Sequence, residues 1–99
     1  MGEAWPVTVS YSAAALRQID QILVYLRTRS PPGALSVGGR LRDVIDLIGR
    51  HPEVGRATDR PGQRRIVVTP YPYVVFYRVD GRDVTIQRVR HTSRRPPAG

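Results

Sequence analysis

The residues in this 99-residue sequence best suited to chemistry are its arginines. All 16 basic residues are Arg, against 8 Asp and Glu, for a net charge of +8. They are unevenly placed. Residues 1–59 hold seven Arg and six acids, a net +1, whereas residues 60–99 hold nine Arg and two Asp, a net +7. A guanidinium is always charged, and its planar fork of donors matches a phosphate or a carboxylate. The concentration of charge therefore predicts an anionic partner for the second half, either nucleic acid or an acidic protein segment. The candidate target- or nucleic-acid-binding residues are Arg65, Arg78, Arg88, Arg90, Arg94 and Arg95, together with His91. His91 and His51 are the two histidines, and an imidazole can exchange a proton near neutral pH. The plainer reading makes His91 the close of a strand, Arg78 a sheet-face ion pair with Asp80 or Asp83, and Arg94 and Arg95 a solvated tail.

Other chemistries find no residues to support them. With no cysteine, disulfides and thiolate metal sites are excluded, and neither histidine has neighbours at metal-ligand spacing. No metal and no cofactor is expected. Paired carboxylates, a glycine-rich phosphate loop and a nucleophile motif are all missing. Asp80 and Asp83 flank a turn, where Asp is favoured for backbone reasons alone.

The elements that must position these side chains follow from periodicity. Val7 to Tyr11 alternates and reads as a short strand. Ser12 is suited to cap a helix beginning at Ala13, in which Ala15, Leu16, Ile19, Ile22, Leu23 and Leu26 form one apolar stripe. Ser30-Pro31-Pro32-Gly33 ends that helix and can begin another, since proline is tolerated in a first turn. The second helix aligns Ala34, Val37, Leu41, Val44, Ile45 and Ile48, and Pro52 should end it near Arg50. Gly38 and Gly39 cost this helix about 1 kcal/mol each relative to Ala, which a close approach of the two helices would explain. A loop spans Glu53 to Gly62. Strand patterns cover Arg64–Thr69, Tyr73–Val79 and Val84–His91, and Asp80-Gly81 marks a hairpin. The apolar parity of the last strand changes between Ile86 and Val89, as a bulge, or a strand with both faces partly covered, would produce.

The predicted architecture is α+β within a single domain, residues 1–99, with frayed ends at about 1–5 and 94–99. A short N-terminal strand precedes an antiparallel helical hairpin packed on a three- to four-stranded, mainly antiparallel sheet. The helices cover one sheet face and leave the other open. The expected core sets Leu16, Ile19, Leu23, Leu41, Val44, Ile45 and Ile48 against Ile66, Val68, Val75 and Tyr77. No apolar run approaches the ~18 residues of a membrane span. The N-terminal MGEAWPVTV lacks the basic and apolar regions of a signal peptide, so no membrane partner and a cytoplasmic location are expected.

Taken in order, Leu47, Pro52, Gly55, Arg56, Arg65, the string YPYVVFYRV, the string VRH and Arg94-Arg95-Pro96 resemble the RelE/ParE toxin family. The resemblance runs over nearly the whole chain and is most specific in the last forty residues. It implies a toxin neutralised by a cognate antitoxin that wraps an acidic or amphipathic segment around it. Two activities are open. RelE-like members are ribosome-dependent mRNA endonucleases, and ParE-like members bind and inhibit DNA gyrase.

Cleaving RNA by 2′-hydroxyl attack takes a base, an acid for the leaving oxygen, and cations for the extra phosphate charge. Arg65, Arg78 and His91 would be the catalytic candidates, with Arg94 and Arg95 contributing charge. RNase-type members carry an arginine just before the apolar stretch of the YPYVVFYRV strand, whereas this chain has Val74 there. The balance moves toward the ParE-like inhibitor, with the mRNA endonuclease as the alternative and a non-catalytic nucleic-acid-binding module as a third reading. Tyr73 and Tyr77 fall on one sheet face by alternation and read as packing rather than as base-stacking platforms.

Overall fold

A computed structural model describes residues 8–92. Its elements are β1 (Thr8–Tyr11), α1 (Ala13–Arg29), α2 (Pro31–Arg50), β2 (Arg56–Ala57), β3 (Gln63–Val67), β4 (Tyr73–Asp80) and β5 (Asp83–His91). The sheet order is β1-β5-β4-β3-β2. Only β1 and β5 run parallel, so the α+β architecture expected from the sequence is present. Val7 and the two expected frayed ends lie outside the described residues.

One serine serves both helix ends in the hairpin. Ser30 donates its backbone N–H to Leu26 O at 2.6 Å, closing α1, and its hydroxyl accepts from Gly33 N at 3.1 Å, opening α2. Ser12 has a similar double role. Its hydroxyl oxygen accepts from Ala15 N at 3.0 Å, and its own N–H donates to Ile86 O at 2.9 Å, so the first turn of α1 is fixed to β5.

The core joins Ala15 of α1 and Val37, Leu41, Val44 and Ile48 of α2 to Val68, Tyr73, Val75, Tyr77, Val84, Ile86 and Val89 of the sheet. Ile19, Ile22, Leu23, Leu26 and Ile45 pack around its margin. Leu16 corrects the expected core, because it is 55% exposed. A helix turns about 100° per residue, so with Ala15 facing inward Leu16 is carried outward beside Asp20 and Val24. Truncating buried Ile48 to Ala should cost about 2–5 kcal/mol, and truncating Leu16 far less.

The expected loop from Glu53 to Gly62 contains a fifth strand, a correction to the three or four expected. Arg56 and Ala57 pair with Arg65 and Arg64. Their placement follows from the fully buried Tyr77, whose hydroxyl donates to Pro52 O at 2.7 Å and accepts from Gly55 N at 2.8 Å. The Arg64 guanidinium donates to Gly55 O at 2.7 Å. The chain leaving α2 is thereby held at the sheet, and Arg56 is delivered alongside β3. A Cβ at Gly55 would stand 2.6 Å from the Tyr77 hydroxyl and 2.8 Å from Arg65 O, so no larger residue fits.

The approach of the two helices does not require glycine at Gly38 or Gly39. A Cβ at Gly38 would meet Leu23 Cδ2 at an ordinary 3.6 Å, and one at Gly39 would meet nothing within 4 Å. Gly39→Ala is therefore expected to stabilise the fold by up to about 1 kcal/mol through helix propensity. Gly55→Ala should lower the denaturation midpoint, because either the tyrosine or the loop must shift. Urea unfolding of both variants checks the pair, and equal midpoints would contradict the packing described.

Burial is the main cause that raises the ionisation of Tyr73 and Tyr77 above the ordinary tyrosine value of 10.0. For Tyr77 the Gly55 N–H and the Arg64 charge oppose this without reversing it. Because the folded state holds the phenol neutral beyond the unfolded value, the contribution is fully present below pH 10 and is lost as pH rises through the folded pKa. Stability should thus fall above pH 10, and Tyr77→Phe should flatten part of that fall while lowering the plateau. Chemical denaturation across that range reads both effects.

An arginine face and an apolar groove on opposite sides of the sheet

Strand pairing decides which charged residues meet. Across the sheet, Arg56 lies opposite Arg65, Arg65 opposite Phe76, and Phe76 opposite Arg88. Paired strands are about 4.8 Å apart, so this row places a ring between two cations with a third beyond. In the next row Val67 and Arg90 flank Val74. All of these side chains lie on the face turned away from the helices. Val74 is nonetheless only 7% exposed, so an apolar patch floors this part of the cationic face.

The β2–β3 connection folds over the same face. Thr58 Oγ1 donates to Gln63 Oε1 at 2.7 Å and accepts from Arg60 N at 3.1 Å. Gln63 Nε2 donates to Gln87 Oε1 at 2.8 Å, linking β3 to β5 across β4. Of the two readings of the parity change, the register shows a bulge at Gln87: Tyr77 pairs with Ile86 and Phe76 with Arg88, leaving Gln87 between them without a partner on β4. Loop and sheet together enclose a shallow concavity of about 420 Å³, lined by Arg56, Arg60, Arg65, Arg88 and Arg90, with Phe76 and a single carboxylate, Asp59.

On the helical side, a groove of about 810 Å³ runs between α1 and the end of β5. Ile22, Leu26, Tyr73 and Val89 line it, with Gln18, Gln21, Tyr25, Arg90 and His91 around them. His91 stands edge-on to Tyr73, with ring centroids 5.3 Å apart and planes at 82°. β1 reaches only to Ile86, and beyond it α1 takes over the outer edge of β5. There Ser12 Oγ donates to Gln87 O at 2.8 Å, and Gln18 Oε1 accepts from Val89 N at 2.8 Å.

The match to a family model decides the lineage: residues 9–96 fit the ParE toxin of type II toxin–antitoxin system, parDE. The chain belongs to the ParE toxin family. It is 30% identical over 89 residues to the putative toxin Y4kP of Sinorhizobium fredii, covering 90% of this chain and 92% of that one. With Toxin RelE1 of Caulobacter vibrioides it shares 32% identity over 87 residues, covering 85% and 91%. The fold superposes on the chromosomal ParDE toxin–antitoxin system from P. aeruginosa with a TM-score of 0.77 at 19% identity, covering 88% of this chain and 97% of that one. For the isolated E. coli RelE toxin the TM-score is 0.63 at 15% identity, with coverages of 90% and 87%.

The toxin's site candidates do not form one cluster. Arg65, Arg88 and Arg90 share the concavity. Arg78 is exposed one row away, opposite Gln63 and Thr85, and its guanidinium donates to Pro61 O at 3.4 Å. His91 lies in the groove on the other face, and Arg94 and Arg95 are outside the described residues. Arg56, Arg60, Gln63 and Phe76 were not singled out from the sequence. Strict alternation in YVVFYRV opposes Phe76 to Tyr73 and Tyr77 and could have found it, whereas Arg60 sits in a loop with no period to read.

Five guanidiniums around one concavity repel one another, which should cost the fold stability. Arg88→Gln is expected to raise the thermal midpoint at low salt, by no more than about 0.5 kcal/mol in stability. The gain should vanish near 1 M salt, where the screening length falls to about 3 Å. A thermal-shift series over ionic strength tests this, and a salt-independent difference would contradict the repulsion.

Proposed function

We propose that the toxin is a ParE-like growth inhibitor that acts on DNA gyrase, is neutralised by a cognate antitoxin and works in the cytoplasm. The observation that carries this reading is that His91 lies outside the arginine concavity, in the groove across the sheet that Arg90 also borders. The concavity offers five permanent cations but a single group able to accept a proton, Asp59, and no histidine. Such a face binds anions well. For strand cleavage it is poorly equipped, because a guanidinium does not act as a base and the leaving oxygen would need an acid. Val74, apolar and buried where RNase-type members carry arginine, points the same way. The alternative, a ribosome-dependent mRNA endonuclease with Arg65, Arg78 and His91 as its catalytic candidates, draws on the 32% identity to a relative named RelE1.

An antitoxin segment suits the groove between α1 and β5. Ile22, Leu26, Tyr73 and Val89 supply apolar contact, and Arg90 with the Tyr25–Arg29 pair favours acidic neighbours. Solved relatives that share this fold include the ParDE system of P. aeruginosa and the DinJ-YafQ toxin–antitoxin complex of E. coli. A target on the arginine face and an antitoxin in the groove would occupy opposite sides of the sheet.

Induced expression followed by two assays, gyrase supercoiling and cleavage of translated mRNA, tests the reading. Supercoiling should be inhibited, mRNA should remain uncut, and both results should be unchanged in His91→Ala. If His91 supplied an acid or base, the substitution would cost ~10²–10⁴ in rate. Codon-phased mRNA cleavage that disappears in His91→Ala would replace the inhibitor with the nuclease.

A further inference from the structure

We propose that the concavity on the arginine face holds a nucleic-acid strand with unpaired bases, its phosphates on the guanidiniums and one base against Phe76. The inference rests on the reading that this face meets the target. Phe76 is only partly buried, and its cross-strand neighbours are Arg65 on one side and Arg88 on the other. Arg90 lies two residues along β5 from Arg88, roughly 6.6 Å at the usual strand rise, and Arg56 stands beyond Arg65. Arg60 faces them from the covering loop. An apolar ring is thus surrounded by cations on both strands that flank it.

Cations alone would suit any polyanion. The ring distinguishes among them, since a carboxylate-rich peptide gains nothing from an aromatic face, whereas every nucleobase can stack on one. A duplex keeps its bases within its own stack and could offer this ring only by flipping one out. At about 420 Å³ the concavity lies within the range for single small ligands, which fits one nucleotide unit better than a helix. The Thr58–Gln63–Gln87 hydrogen bonds fix the covering loop before any ligand arrives, so little ordering remains to be done on binding.

Fluorescence anisotropy of the purified full-length chain with labelled 12-nucleotide probes tests the proposal. The probes are single-stranded DNA, single-stranded RNA and duplex DNA of one mixed sequence, with a 12-residue polyglutamate as competitor. Single strands should bind more tightly than the duplex, and polyglutamate should not displace them. Phe76→Leu should weaken single-strand binding by about 5- to 150-fold, the range that one stacked base supplies, and Phe76→Tyr should restore it. Arg65→Gln should lower the salt slope of log affinity by about 0.7, the value for one single-strand phosphate contact. Far-UV spectra and thermal midpoints of the variants check folding, and the Tyr variant keeps the test valid if the Leu variant unfolds.

A preference for either DNA or RNA supports the site, DNA according with a gyrase complex and RNA with a ribosomal one. Equal binding of duplex and single strand, indifference to Phe76→Leu, or displacement by polyglutamate overturns it. Gyrase inhibition that survives Phe76→Leu, with no single-strand preference, would sink this inference and leave the inhibitor reading intact. Phe76-dependent strand binding without gyrase inhibition would do the reverse.

Discussion

The hydroxyl of Tyr77 is the point on which the arrangement depends. It lies at the centre of the sheet, fully buried, and has two polar partners, a carbonyl at Pro52 and an N–H at Gly55. A buried phenol needs such partners, and losing one leaves a desolvated group at a cost of about 1–3 kcal/mol. Here the partners come from the segment that leaves α2, so satisfying the tyrosine also fixes where that segment runs. Gly55 must be glycine because the oxygen occupies the space of a Cβ. Arg56 then follows as the first residue of β2, and the arginine row gains its outer member. A core contact on one sheet face thereby places a charge on the other.

The β5 strand shows a second constraint, since it must serve both faces. Val84, Ile86 and Val89 are buried toward the helices, while Arg88 and Arg90 line the concavity. Strict alternation from Ile86 would turn Arg88 inward and Val89 outward, burying a charge without a partner. One extra residue at Gln87 reverses the parity. A bulge ordinarily weakens a ladder, but here three hydrogen bonds gather around it. The Gln87 amide accepts from Gln63, the Gln87 carbonyl accepts from Ser12, and the next outward N–H, that of Val89, donates to Gln18. The bulge is therefore a joint between the cationic face, the start of α1 and the groove.

Much of this was legible in the sequence because it rests on period. The helical stripes, the Asp-Gly hairpin, the open sheet face and the parity change all express spacings of 3.6 or 2. Leu16 was misplaced because an apolar residue next to a stripe resembles one within it, and only packing shows that Ala15 is the inward residue. β2 was missed because two residues have no period, and its position is set by Tyr77, 20 residues later in the chain. The candidate site was half legible for a similar reason. Arg65, Arg88 and Arg90 lie on strands whose faces can be counted, whereas Arg60 depends on a loop held by Thr58 and Gln63. The proton chemistry of its imidazole groups His91 with the arginines, but the bulge and the pleat turn it to the opposite face.

The absence of lysine has a consequence for what the arginine face can do. Lysine shifts its pKa readily when desolvated and can serve as a base, while arginine stays protonated under any condition in which the fold survives. A concavity built from five arginines therefore carries a field that does not vary across physiological pH. Mutual repulsion, which would drive a cluster of lysines or histidines to release protons, must here be met by counterions or by an anionic partner. Binding that partner releases the counterions, so affinity is gained in proportion to the phosphates engaged and falls steeply with salt. The same permanence removes the proton acceptors that bond cleavage requires and leaves Asp59 alone among the lining groups with that capacity. The residue type that strengthens the face as a clamp thus limits it as a catalyst.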